Sequence, residues 1–315
     1  MKSFLIVRTP LQAWIAPGVL QRERTVCFDV LYISVNDSAE DRKAFSQIKD
    51  AAENAWYVVC RPRSPDLLHQ IEMAVRLAPV RWKCRGCCWK AVFLASYDSH
   101  SINALSVNAS AHEIVTFDDG TANINTQSMY APEMKRWRDR VYRRAFGGLS
   151  NRAFIDRVAR HYTIFGEADH LMDRSRLRYL EPLFAGNGNA LSEDSVTYFI
   201  GAPFSEVLSA AQIDRLNSAV ERLHINYVVR HPRQTEKFGF ETASNILDKQ
   251  GEIAERAIET HANGRRITLV GWFSTVMFTM RPLAARRIVL LASDDSKTPG
   301  MKRIAENASC EIIQF

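Results

Sequence analysis

Two adjacent carboxylates, Asp118 and Asp119, follow the apolar end of a run at Phe117 and precede Gly120. Close carboxylates push their pKa values apart, which suits one of them to take a proton from a hydroxyl. Gly120 permits the tight turn such a placement needs. The same residues also make an ordinary polar turn with an Asx hydrogen bond. A second constellation is Val228-Val229-Arg230-His231-Pro232-Arg233. An imidazole at the end of an apolar run, with Pro232 fixing the turn, can be protonated and face a phosphate. Arg230 and Arg233 suit the same anion, although a loop histidine that bonds only to a neighbour fits the pattern too. The third is Leu269-Val270-Gly271-Trp272-Phe273-Ser274-Thr275. Free N–H groups at a helix start, with the hydroxyls of Ser274 and Thr275, can bind phosphate without a metal. Ser274 as a plain helix N-cap is the other meaning of that segment.

Six cysteines are present, and Cys84-Arg85-Gly86-Cys87-Cys88 has the look of half a zinc site. Four ligands are the rule for structural zinc. No second knuckle exists, so His69 or His100 would have to complete the set, and ordinary reduced thiols are the expectation.

Positioning these loops requires strands that end where they begin. Strands are expected at Ser3–Val7, Val30–Ser34, Trp56–Cys60, Ala91–Ala95 and Glu113–Phe117, with helices near 38–51, 64–77 and 99–108. An Arg-rich, mostly helical stretch covers about 132–160, and residues 161–165 read as one more strand. Residues 185–194 read as a linker by their Gly, Asn and Ser content. The alternation then restarts: strand Val196–Ile200, helix 205–223, strand Ile225–Val229, helix 241–261, strand Ile267–Val270, a short helix from Ser274, strand Ile288–Leu291, helix 298–307 and a strand near Glu311–Gln314. Strands spaced by helical patterns indicate βαβ units and parallel sheets. The expected domains are 1–185 and 195–315. Ligands of such sheets bind beyond the carboxyl ends of the strands, where all three constellations lie.

The chain has 315 residues, 46% of them hydrophobic and 24% charged, with a net charge of +6. That balance is ordinary for a soluble globular protein, and the basic excess favours anionic partners. The densest basic run is Lys135-Arg136-Trp137-Arg138 with Arg140, Arg143 and Arg144. Its spacing suits one helix face, either solvated or docked on a membrane surface. Nucleic acid is not expected, because no binding-fold motif accompanies the run. Met1–Val7 is too short for a signal core, so a cytoplasmic location is expected, with peripheral contact at the inner face of the inner membrane.

The order of the three constellations resembles the bacterial sialyltransferases of glycosyltransferase family 52. Thr9-Pro10-Leu11-Gln12 and Ile200-Gly201-Ala202-Pro203 resemble two further segments of that family, although Ala202 stands where the family more often has Gln. The resemblance runs from residue 4 to about 280. It implies a GT-B fold, two Rossmann-like α/β domains with parallel sheets facing a central cleft, and an inverting transfer that needs no metal and no cofactor. By match to the family's motifs, Asp119 is expected as general base, with Asp118 orienting it or tuning its pKa. His231 would face the departing phosphate, Ser274 and Thr275 would hold it, and Arg230 and Arg233 would contact donor anions. Gly120, Pro232 and Phe273 belong to the same segments; Glu255 is a candidate for the ribose, and Thr9, Gln12 and Gly201 for the cleft lining. The implied partners are CMP-sialic acid as donor and a glycan or glycolipid, such as galactose-terminated lipooligosaccharide, as acceptor; a homodimer is compatible with this reading. Three alternatives stay open: a GT-B enzyme using UDP-glucose or CMP-Kdo, a GT-A enzyme with a metal on Asp118 and Asp119, and a silent glycan-binding protein.

Overall fold

A computed structural model describes residues 1–61, 66–124, 130, 137–166, 170–180, 193–242 and 245–315. The chain forms two compact units, Met1–Ile164 with His170–Leu180, and Phe165–Asp169 with Glu181–Phe315.

The first unit runs β1 (Ser3–Val7), α1 (Pro10–Arg22), β2 (Phe28–Ser34), α2 (Ala39–Lys49), β3 (Asn54–Val59), α3 (Asp66–Cys84), β4 (Trp89–Leu94), α4 (His100–Asn108), β5 (Ala111–Phe117), α5 (Trp137–Ala145), α6 (Asn151–Arg157), β6 (Val158–Thr163) and β7 (Leu177–Tyr179). Its seven strands lie in the order β3-β2-β1-β4-β5-β6-β7, all parallel. β1, β2 and the end of β4 are buried on both faces, as expected of the run Val92–Ala95, whereas β3, at the sheet edge, is only partly covered. Phe4, Ile6, Leu31, Ile33, Trp89 and Leu94 anchor the core. The chain leaves β1 for β2 on one side and later places β4 on the other. A topological switch point therefore sits at the carboxyl ends of β1 and β4, where open sheets accept ligands.

The second unit runs β8 (Ser195–Ile200), α7 (Phe204–Val207), α8 (Ala210–Glu221), β9 (Tyr227–Val229), α9 (Ala254–Ala262), β10 (Arg266–Gly271), α10 (Val276–Thr279), β11 (Ala284–Leu291), α11 (Thr298–Asn307) and β12 (Glu311–Gln314). The parallel sheet order is β12-β11-β10-β8-β9, with its own switch point between β8 and β10. Its core is built on Phe199, Phe204, Leu216, Val228, Val270 and Leu290.

Several elements depart from the sequence pattern. Helix α1 was not expected, because its six buried residues are spread through Gln12, Ala13, Ile15, Ala16, Val19 and Leu20 around an internal Pro17. β7 was also unexpected, at three residues. The 205–223 helix breaks at Leu208, which is extended, and restarts at Ser209, which makes a capping box with Gln212. The 241–261 helix shrinks to α9: Gln250 and Gly251 take positive φ values of 48° and 74°, and Ile246 instead bridges to Val228. Lys135 and Arg136 of the basic run, and residues 185–192 of the linker reading, lie outside the described residues. Within that run Arg143 is not solvated. It is 3% exposed and donates to His100 Nδ1, Asn151 Oδ1 and the carbonyls of Asp98 and Leu149.

Candidate active site

In the first unit the loops after β1, β4 and β5 converge on Asp119. Gln12 Nε2 donates to its Oδ1 at 2.5 Å, Ser96 Oγ donates to its Oδ2 at 3.2 Å, and the Tyr130 phenol donates to Oδ2 as well. Gln12 is itself fixed: its Oε1 accepts from Arg8 N at 2.7 Å and its Nε2 also donates to Ser96 Oγ at 2.8 Å. Thr9, expected in the lining, caps α1 by accepting from Gln12 N. Gln12, expected beside it, is fully buried and acts on the carboxylate rather than on solvent-facing space.

Burial pushes the Asp119 carboxyl above the ordinary carboxylate range, and the charge of Asp98 adds to that; the bonds from Tyr130 and Gln12 and the charge of Arg8 pull the other way. Tyr130 is held protonated by burial and by the charges of Asp119 and Asp98, so it stays a donor. Asp119 N donates to Asn123 Oδ1 at 2.7 Å, and Gly120 follows at φ 65°, a left-handed conformation that favours glycine. Two buried polar atoms nearby, Arg8 Nε and Asp98 Oδ1, have no hydrogen-bond partner among the described residues, with Arg8 Nη1 standing 4.0 Å from Asp98.

Asp118 faces the other way. Fully buried, its carboxylate accepts from Thr163 Oγ1 and Ile164 N, each at 2.7 Å, and from His161 Nε2 at 3.0 Å. Thr116 Oγ1 bonds to His161 Nδ1 at 2.9 Å, and the Asp118 carboxylate, which only accepts, calls for a proton on Nε2. The adjacent carboxylates thus share no partner, and the like charge that acts on Asp119 is Asp98 rather than Asp118. Period-two alternation of side chains explains the split. Asp118, His161 and His170 carry ligand-type atoms within 4.8 Å of one another, the only such group among the described residues. The Asp118 carboxylate and both ring nitrogens of His161 are already engaged in hydrogen bonds.

The cysteine cluster looks elsewhere. Cys84 is buried and its thiol is pushed up to about 11 by that burial, while Cys88 is exposed. His69 bonds to the Arg61 carbonyl and His100 accepts from Arg143.

In the second unit the loops after β8, β9 and β10 gather at the carboxyl edge of the sheet. His231 Nδ1 accepts from Arg233 N at 3.1 Å, so a neutral ring carries its proton on Nε2. Gly201 packs close against this loop: a Cβ there would lie 2.1 Å from Gln234 Oε1 and 2.9 Å from His231 N. Pro232 is exposed beside it. The two arginines are not held ready for an anion. Arg233 pairs with Glu206 at 2.7 Å, both half-exposed, and Arg230 stands 3.4 Å from Glu241 while donating to the Glu236 carbonyl. Ser274 does not cap the next helix; Thr275 occupies that position and its side chain makes no capping bond. Phe273 is 6% exposed and packs on Phe278, so it supports the loop from within. Glu255 is 4% exposed; its carboxylate accepts from Thr279 Oγ1 at 2.9 Å, and burial raises its pKa. Gln234 Oε1 and Trp272 Nε1 are buried atoms without a hydrogen-bond partner among the described residues.

Ser96, Asp98, Asn123 and Tyr130 were missed from the sequence. Ser96 and Asp98 follow β4, so their place after a strand was the available signal; Tyr130 offered none.

A family model described as Glycosyltransferase family 52 matches residues 21–295. The N-acetyllactosaminide alpha-2,3-sialyltransferase of Neisseria meningitidis serogroup A is 27% identical over 296 residues, 89% of this chain and 75% of that protein. The Haemophilus influenzae protein of the same name is 21% identical over 192 residues, 60% of each chain. Among solved structures, the glycotransferase of kitacinnamycin aligns with TM-score 0.56 and 11% identity over 99% of this chain and 86% of that one. The glycosyltransferase SnogD from Streptomyces nogalater aligns with TM-score 0.51 and 12% identity over 100% and 87%. The fold is that of GT-B glycosyltransferases.

Proposed function

The chain belongs to glycosyltransferase family 52, and from that premise we propose that it moves sialic acid from CMP-sialic acid to a hydroxyl of a surface glycan, with inversion and without a metal. As a glycosyltransferase it must deprotonate an acceptor hydroxyl and stabilise a leaving group. The observation that carries the reading is Asp119: a half-buried carboxylate after a central strand, aimed by three side-chain donors and raised in pKa. A base is most effective when its pKa approaches the working pH, and contributes about 10²–10⁴-fold.

In this mechanism Asp119 takes the proton as the acceptor oxygen attacks the anomeric carbon. Asp118 does not touch substrate; its bonds to β6 hold the strand end from which Asp119 projects. Arg8 Nε and Asp98 Oδ1, without hydrogen bonds among the described residues, suit acceptor hydroxyls. Charge builds on the CMP phosphate as its bond to the sugar breaks, and His231 Nε2–H donates to it. Ser274 and Thr275 add hydroxyl donors, and fixed donors of this kind are worth about 3–4 kcal/mol each. Glu255, Gln234 and Trp272 suit the nucleoside. The names of the Neisseria and Haemophilus relatives support the donor sugar and a galactose-type acceptor.

Incubation with CMP-sialic acid and labelled lactose, followed by mass spectrometry, tests this. A sialylated product formed equally in EDTA is the expected result. Transfer only from UDP-glucose or CMP-Kdo, or only with added metal, defeats it.

A further inference from the structure

Helix α3 has two apolar sides. One, comprising Met73, Leu77, Val80 and Cys84, is buried in the core of the first unit. The other repeats the spacing half a turn away. Leu68, Ile71, Val75 and Trp82 are 52%, 45%, 66% and 72% exposed, and Ala78 and Pro79 between them are exposed as well. At 3.6 residues per turn these side chains form one outward stripe about 20 Å long. Four of the nine large hydrophobic residues exposed among the described residues lie in it. Single exposed apolar residues are commonplace, whereas a contiguous row marks a contact surface.

The charges beside the stripe identify what it contacts. Arg76 and Lys83 lie along one flank and Arg81 along the other, all exposed, with Arg85 just beyond the helix end. Arg85 stacks over the Trp82 ring at 5.6 Å and Lys83 over Trp56 at 5.8 Å. The one acid on this side, Glu72, bonds to Arg76 at 2.7 Å. Two copies packed through this face would bring like charges together with little to offset them. An anionic bilayer meets both requirements, taking the apolar row below its headgroups and the bases at their level.

The geometry points to the outward face of α3, from Leu68 to Trp82, as a docking surface for a membrane rich in anionic phospholipid. The inference does not depend on the donor or acceptor proposed above, since lipid binding is read without turnover. Flotation of the full chain with phosphatidylethanolamine–phosphatidylglycerol vesicles, against phosphatidylcholine vesicles, is the experiment. Binding to the anionic vesicles alone, falling as salt is raised, is expected. Trp82→Ser with Val75→Ser should weaken it at least about tenfold, since each buried CH₂ is worth about 0.8 kcal/mol. Arg81→Ala with Lys83→Ala should weaken it by a similar factor, about 1 kcal/mol per base. CMP release with a soluble acceptor should be unchanged in both variants, which also reports their folding. Undiminished binding by either folded double variant, or no preference for anionic vesicles, overturns the inference. So does a change of oligomeric state in the apolar variant by light scattering, which would assign the stripe to a second copy.

Discussion

The loop after β5 and the loop after β9 each carry a residue proposed to meet the reacting atoms, and they are held in opposite ways. Asp119 is fixed by side chains from three separate segments, Gln12, Ser96 and Tyr130. His231 is set through the main chain: a backbone N–H chooses its tautomer, and a glycine lets the neighbouring strand end come close. A base must present a lone pair along one direction, and its charge must be kept in check by surrounding donors. A phosphate donor needs one N–H on the correct ring nitrogen. The first demand is met by a hydrogen-bond network, the second by close backbone packing.

The largest expected contrast comes from removing the two residues themselves. Asp119→Ala should lower kcat about 10³-fold while CMP affinity, read by calorimetry, stays within about threefold. A comparable loss of CMP affinity would show that the two loops are not separable in role. His231→Ala should lower kcat about 10²-fold and raise the donor KM as well. An unchanged KM would take His231 off the phosphate.

Gly201→Ala should cost about tenfold in kcat/KM and several degrees in Tm, because its Cβ meets Gln234 and the His231 backbone. Gly300→Ala, in helix α11 where nothing lies within 4 Å, is the control and should leave kcat/KM unchanged without lowering Tm. Equal effects at the two sites would remove close packing from the explanation. The smallest and most diagnostic change is Tyr130→Phe. That bond lowers the Asp119 pKa, so its loss raises it. The base works ionised, so the acid limb of kcat/KM should move to higher pH, with a plateau changed only a few-fold. A shift to lower pH would mean that Asp119 is not the group being titrated.

Much of the site was legible as position and little of it as direction. Asp119, His231 and Gly201 were readable because each follows an apolar strand, and the carboxyl ends of parallel strands are where such sheets bind ligands. Asp118 shows the limit: the same motif names both acids, but alternation along the chain sends one into the β6 interface. Gln12 was read as cleft lining and Arg230 as an anion contact. Their actual partners, Asp119 and Glu241, stand 107 and 11 residues away in sequence. Helix α1 escaped because its buried face contains Gln12 and two alanines, and the start of the 241–261 stretch was read as helical although the Asn245 carbonyl and the Leu247 N–H pair with Val228.

Hydrophobic run length and glycine placement, both local properties, by themselves determined that this chain forms two parallel α/β sheets with polar loops at their strand ends. The tertiary fold alone decided which of the two adjacent carboxylates is locked onto β6, which arginine is buried, and which face of α3 is left to solvent. Those outcomes depend on partners distant in sequence, since desolvation and hydrogen bonding act through space and leave no spacing in the chain to be read.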